Sequence, residues 1–84
     1  MRLFLQHPPV GAEAPRFVQL SLEQDLLGGW LLVRETGQVG HRSTVKREQF
    51  LQQDAALAAF EQARDANIKR GFRVVFARGE AMRS

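Results

Sequence analysis

The densest group of chemically capable side chains is a positively charged run between residues 34 and 47. It contains four basic side chains, Arg34, Arg42, Lys46 and Arg47, and the imidazole of His41. Glu35 is the one acid within the run, and Glu48 adjoins its end. Guanidinium and ammonium groups bind phosphate oxygens without reading base edges, but charged residues also protect exposed sheet edges from aggregation. The run therefore predicts either a phosphate-binding patch or a solvated edge.

Sequence motifs for catalysis are absent. Ser21, Ser43 and Ser84 lie outside any nucleophile elbow, and no glycine-rich loop ends in the Lys-Ser or Lys-Thr pair of a P-loop. The chain has no cysteine, and His7 and His41 have no second ligand at metal-site spacing. We therefore expect no enzymatic activity, no metal, no cofactor and no small-molecule substrate.

Length and composition indicate one small globular domain over residues 1–84. The chain has 44% hydrophobic and 25% charged residues and a net charge of +3, with arginine supplying ten of its twelve cations. This charge permits an anionic partner, although it is also typical of a soluble domain. Residues 26–33, the longest apolar stretch, fall short of the roughly 20 that span a bilayer, and residues 3–5 are too short for a signal peptide. We expect a cytoplasmic protein with no membrane partner.

Periodicity predicts the elements that would position the cations. Alternating patterns predict strands at 2–6, 16–23, 30–35, 39–48 and 72–77, with a loop at 7–15 and turns at 25–29 and 36–38. The hairpin that carries the cations would reverse at Gly37 or Gly40. A run of helix-forming residues predicts a helix over 54–70, capped by Asp54 and ended by Gly71. The apolar faces of these elements predict a core made of Val18, Leu20, Leu22, Trp30, Leu57, Phe60 and Ile68.

The order of these residues is similar to a known family. The likeness begins with three runs, at residues 17–22, 25–30 and 32–35. It continues with Gly37, residues 39–40, Phe50, Phe60 in the alanine-rich helix and residues 69–72. Together, over about residues 15–75, they resemble small bacterial proteins of the WGR domain family. The resemblance implies an α+β fold, a twisted antiparallel β-sheet with one α-helix packed across it. The core would cover about 15–77, followed by a polar tail at 78–84.

The resemblance also implies a function. In eukaryotic poly(ADP-ribose) polymerases this domain binds DNA ends and contacts neighbouring domains, with the motif tryptophan on a terminal sugar and the motif arginine close to the DNA. This chain has Thr36 at the tryptophan position, keeps Gly37, and has Gln38 at the arginine position. Loss of an aromatic platform costs about 1 to 3 kcal/mol per stacked base in single-stranded ligands. The catalytic domain of those polymerases is not part of this sequence, so none of their chemistry transfers.

Two non-enzymatic functions remain open at this point. The first is binding of nucleic acid, DNA by the resemblance, through the hairpin; the predicted site is Arg34, Thr36, Gly37, Gln38, His41, Arg42, Lys46 and Arg47. The second is a protein–protein interaction module that has lost DNA binding and uses a sheet edge or residues 39–48.

Overall fold

The computed structural model describes residues 1–79, so the predicted polar tail lies outside the described residues from position 80 onward. Five strands and one helix follow in the order β1 (Arg2–His7), β2 (Arg16–Gln24), β3 (Trp30–Gln38), β4 (Ser43–Phe50), α1 (Gln53–Lys69) and β5 (Arg73–Arg78). The strands form one antiparallel sheet in the order β4-β3-β2-β1-β5. With α1 packed on one side of this sheet, the predicted α+β fold is confirmed.

The core lies between α1 and the central strands. Because strand side chains alternate between the two faces, every second residue of β1, β2 and β3 points at the helix. These side chains meet a stripe of α1, and together they are Leu3, Leu5, Val18, Leu20, Leu22, Leu32, Ala56, Phe60 and Ala63. Leu3 and Leu5, both on the helix-facing side of β1, are fully buried. The sheet face turned away from the helix, here called the open face, carries Phe4 stacked on Phe17 with ring centroids 5.7 Å apart.

The helix lies in a slightly different rotation from the predicted one. Its buried residues include Ala56, Phe60 and Asn67, whereas Ile68 is 45% exposed, so the prediction that Ile68 belongs to the core is wrong. Small alanine side chains let the helix backbone lie close to the sheet, which turns the stripe at 56, 60, 63 and 67 inward. Trp30 and Leu57 are partly buried against the core.

The helix ends differ from the predicted caps in one case. Gln52 occupies the N-cap without a side-chain hydrogen bond, and Asp54 instead accepts a 2.9 Å hydrogen bond from the amide of Ala55. The prediction of Asp54 as the cap is therefore wrong, although its charge still favours the positive end of the helix dipole. At the other end the C-cap is Arg70, and Gly71 follows with φ of +98°, the left-handed conformation that stops a helix.

The chain reversal between β3 and β4 occurs later than one prediction placed it. Thr36, Gly37 and Gln38 belong to β3, so a turn at 36–38 is wrong. Gly37 pairs with Ser43 in the ladder, whereas Gly40 has φ of +83° and makes the reversal. Pairing between β3 and β4 therefore continues as far as Gly37. The alternative prediction, a reversal at Gly40, is confirmed.

The turn between β2 and β3 is held by one carboxylate. Oδ1 of Asp25 accepts hydrogen bonds from the amides of Leu27 at 2.9 Å and Gly29 at 2.8 Å, and Oδ2 accepts one from Nε2 of Gln49 at 2.8 Å. A Cβ on Gly29 would lie 2.9 Å from the carbonyl oxygen of Phe50, so a side chain does not fit there. The predicted turn at 25–29 is confirmed, and Asp25 ties it to β4.

We expect this turn to depend on pH. The hydrogen bond from Gln49, followed by that from Gly29, holds the pKa of Asp25 below its ordinary value of 3.8. Because the folded pKa is lowered, the stabilisation by Asp25 is complete above the ordinary value and is lost as pH falls through the folded pKa. Asp25→Asn should therefore lower the melting temperature at neutral pH, and the difference from wild type should shrink in acid.

Thermal melts at neutral pH and below the Asp25 pKa check this expectation. Asp65→Asn is the matched control, because Asp65 makes an exposed ion pair with Arg64 at 2.9 Å and such pairs contribute about 0 to 1 kcal/mol. An Asp25→Asn difference that stays constant with pH would show that the carboxylate charge does not stabilise the turn.

Candidate nucleic-acid interface

The sheet register divides the predicted cations between its two faces. Arg34 on β3 lies directly opposite Lys46 on β4, and both side chains are on the face that carries α1. Arg47 lies opposite Val33, one residue out of phase, and is therefore on the open face. His41 and Arg42 are exposed at the hairpin tip. The structure brings Arg34 and Lys46 together and separates them from Arg47.

A groove runs across the helix side of the sheet at the C-terminal end of α1. Three adjoining cavities of about 580, 450 and 170 Å³ share Arg70 as a lining residue. We call them together the basic groove, after its four cations Arg16, Arg34, Lys46 and Arg70. Glu13 lines its far end, in the loop of residues 8–15 between β1 and β2, which we call the proline loop. Cations from three strands and from the residue that caps the helix thus face one elongated depression.

Two like charges lie side by side in this groove. Cations directly opposite each other on an antiparallel pair repel, so Arg34 and Lys46 destabilise the hairpin unless an anion lies between them. Glu48, on the same face of β4, accepts a 3.2 Å hydrogen bond from a guanidinium nitrogen of Arg34. Both partners are about half exposed, so this ion pair contributes about 0 to 1 kcal/mol. Lys46 has no carboxylate within ion-pair distance among residues 1–79.

Arg70 is a groove residue that lies outside the site predicted from the sequence. Its guanidinium lies over the ring of Phe72, with 5.7 Å between Cζ and the ring centroid, and its Nη1 is 3.5 Å from Oδ1 of Asn67. Asn67 is itself buried and donates a 2.8 Å hydrogen bond to the carbonyl of Ala63. A cation next to the glycine that ends the helix was the available signal. Contacts with Phe72 and Asn67 aim that cation into the groove.

The altered motif positions line the same groove. Thr36 is exposed in its wall, between the cavity that holds Lys46 and the cavity that holds Arg70. Gly37 lies so close to β4 that a Cβ there would be 3.1 Å from the Cα of Ser43. Nε2 of Gln38 donates a 3.0 Å hydrogen bond to the carbonyl of Ala14. Gln38 therefore ties the proline loop to β3, while Thr36 faces the open space.

The far wall of the groove is built by the proline loop and β1. His7 donates through Nδ1 to the carbonyl of Pro8 at 2.8 Å, and its ring meets Phe72 edge-on with centroids 5.2 Å apart. Phe72 thus lies between His7 and Arg70 and contacts both side chains. No local pattern in the sequence indicates this role of His7, because its partner Phe72 lies far along the chain.

Residues 1–79 contain no cluster of three or more His, Cys, Asp or Glu side chains that could hold a metal ion. The one helix among them is too short and too polar to cross a membrane.

A five-stranded antiparallel sheet, one helix packed across it and a basic groove beside the helix end define a small α+β domain. The family model described as the WGR domain matches residues 1–78, and the chain therefore belongs to the WGR domain family. The match confirms the resemblance and extends to β1, before the residues on which the resemblance was based. Searches of the curated proteins and of the solved structures found no significant match.

Proposed function

We propose that this WGR domain is a non-enzymatic module that binds DNA through the basic groove. The observation that carries the proposal is the convergence of Arg16, Arg34, Lys46 and Arg70 on one groove, with Thr36 of the altered motif between them. Membership of a family of small nucleic-acid-binding modules supports it. Arg34 and Lys46 lie directly opposite each other, and a phosphate at this point would relieve the repulsion that Glu48 offsets only at Arg34.

The groove chemistry favours contacts to the phosphate backbone over contacts to bases. Arginine donates in a planar fork that matches phosphate oxygens, and the hydroxyl groups of Thr36 and Thr44 add weaker hydrogen bonds. Of the phenylalanines that line the groove, Phe72 is buried and covered by Arg70, and Phe17 is stacked on Phe4, so neither offers a free platform for a base. Binding should therefore be weakly dependent on sequence and strongly dependent on salt.

Removing groove cations is the direct test. Lys46→Ala with Arg70→Ala should weaken binding to every duplex tested and lower the slope of log K against log salt by about 1.8, since each lost phosphate contact lowers it by about 0.9. The matched control is Arg2→Ala with Arg47→Ala, which removes the same charge from one row of the open face. Fluorescence anisotropy with a labelled duplex at several salt concentrations measures both slopes.

The results separate three cases. A loss confined to the groove variant supports the proposal. An equal loss in the control variant would show that net charge, and not the groove, accounts for binding. If the wild type fails to bind at low salt, where the electrostatic attraction is strongest, the DNA proposal fails.

If the wild type does not bind DNA, protein interaction becomes the favoured function. One observation favours it as the second candidate: Leu26, Leu27 and Leu51 are 103%, 91% and 86% exposed at the end of the sheet where Asp25 contacts Gln49. Three uncovered leucines at one end are typical of a contact surface.

A further inference from the structure

The two edges of the sheet are chemically opposite. The outer strand β4 carries Lys46, Arg47 and Glu48 among polar residues, which is how natural sheets discourage strand addition. The other outer strand, β5, has an apolar centre in which Val74, Val75 and Phe76 are 45%, 59% and 48% exposed. Every residue of β5 is exposed although the strand is fully paired with β1 on its inner side. The apolar edge is thus β5.

Within residues 1–79 no strand pairs with the outer side of β5. Its backbone amides and carbonyls on that side are available to a further extended chain, which would gain main-chain hydrogen bonds and cover apolar side chains on both faces. An incoming strand would cover Val74 on the helix side and Phe76 beside Phe4 on the open face. Two features restrict indiscriminate pairing, namely a bulge opposite the Phe4/Leu5 step and an arginine at each end of the strand.

The two terminal arginines select the partner. If a second copy of the chain paired antiparallel through the full length of β5, each Arg73 would lie opposite Arg78 of the other copy. Like charges directly opposite each other destabilise an antiparallel pair. A strand with carboxylates at both ends would instead form two ion pairs with the same arginines. Charge complementarity therefore favours an acidic-ended strand over a second copy.

We propose that β5 is a docking edge for an extended segment of a partner protein that has an apolar centre and acidic residues at its two ends. The segment would add a sixth strand to the sheet by pairing with β5. Arg73 and Arg78 would hold its ends, and Val74 and Phe76 would pack against its centre. This edge lies at the side of the sheet opposite to β4 and Lys46, and its strand begins next to Phe72 in the far wall of the basic groove.

Synthetic peptides test the proposal without knowledge of the partner. The probe is a capped six-residue peptide with aspartate at each end and alternating valine and threonine between them. One control replaces the two central residues with proline, which removes strand-forming donors but keeps the charge. The other control replaces both aspartates with lysine. Titration into the isotopically labelled protein, followed by amide chemical shifts, reports the affinity and the location of binding.

The expected result is that the aspartate peptide shifts β5 amides and binds about two- to thirtyfold more tightly than the lysine peptide, the ratio that two exposed ion pairs supply. The proline peptide should not shift β5. Reversing the edge charges with Arg73→Glu and Arg78→Glu should reverse the preference, so that the lysine peptide binds more tightly. Both arginines are exposed, so the variant should melt close to wild type.

Three outcomes would overturn the proposal. The proline and aspartate peptides could bind equally, which would reduce the interaction to charge alone. The shifts could fall in the basic groove rather than on β5. Sedimentation could show that the free protein dimerises and that the charge-reversed variant does so equally, which would make a second copy the occupant despite its opposed arginines.

Discussion

Replacing Phe60 with alanine is expected to destabilise the domain by about 3 to 5 kcal/mol. The ring is fully buried where α1 crosses the sheet, among Leu3, Leu5 and Leu20, which are also fully buried. Truncation removes the transfer free energy of the ring and leaves a cavity that a rigid sheet cannot close. Small domains are stable by about 5 to 15 kcal/mol in total, so this single change should remove much of the stability or all of it.

The measurement is a chemical or thermal unfolding curve followed by circular dichroism. Ile68→Ala is the matched control on the same helix, because Ile68 is 45% exposed and its truncation should cost far less. A Phe60→Ala melt within a few degrees of wild type would show that the helix does not pack through this face. An Ile68→Ala loss as large as that of Phe60→Ala would show that the helix is rotated toward the register predicted from sequence.

Restoring the family motif should give the largest gain in DNA affinity. Thr36→Trp places an aromatic platform in the groove wall between Lys46 and Arg70, and Gln38→Arg adds a phosphate-binding fork. An arginine at position 38 can still donate to the carbonyl of Ala14, so the proline loop keeps its contact with β3. The expected gain is about 1 to 3 kcal/mol, or roughly tenfold to a hundredfold.

The substrate comparison separates geometry from charge. A linear duplex with ends and a closed circular duplex of the same length carry the same phosphates, so a gain confined to the linear duplex would support an end-binding site at positions 36–38. An equal gain on both would mean that positive charge alone was added, and Gln38→Arg by itself should then reproduce it. No gain in a folded variant would argue that Thr36 faces no nucleic acid and would favour the protein-interaction function.

Much of the fold could be predicted because it rests on local patterns. Alternation of polar and apolar residues identified β2 around Leu20, since a pleated strand buries every second side chain. The alanine-rich run around Phe60 identified the helix, and Gly71 marked its end because glycine adopts the left-handed conformation without strain. The motif positions Thr36 to Gln38 were identified by resemblance, and the family match confirmed the family while leaving their function a proposal.

The site depended on information that lies outside any local pattern. Arg34, Lys46 and Arg47 read as one basic cluster in the sequence. Strand alternation puts Lys46 and Arg47 on opposite faces whatever the register, but only the register of β4 against β3 decides that Lys46 shares the face of Arg34. Such a register is decided by cross-strand packing, and a shift of one residue would exchange the two faces.

Composition, strand and helix periods, glycine turns and family were thus determined by the sequence alone. The tertiary structure decided which cations share a groove. It brought Arg70 to Lys46 by ending α1 over β2 and β3, and it held Arg70 there through Phe72 and Asn67. The physical reason is that the direction in which a side chain points depends on its own local backbone. Which side chains it contacts depends on how the helix rotates and how the strands pair when the apolar core forms.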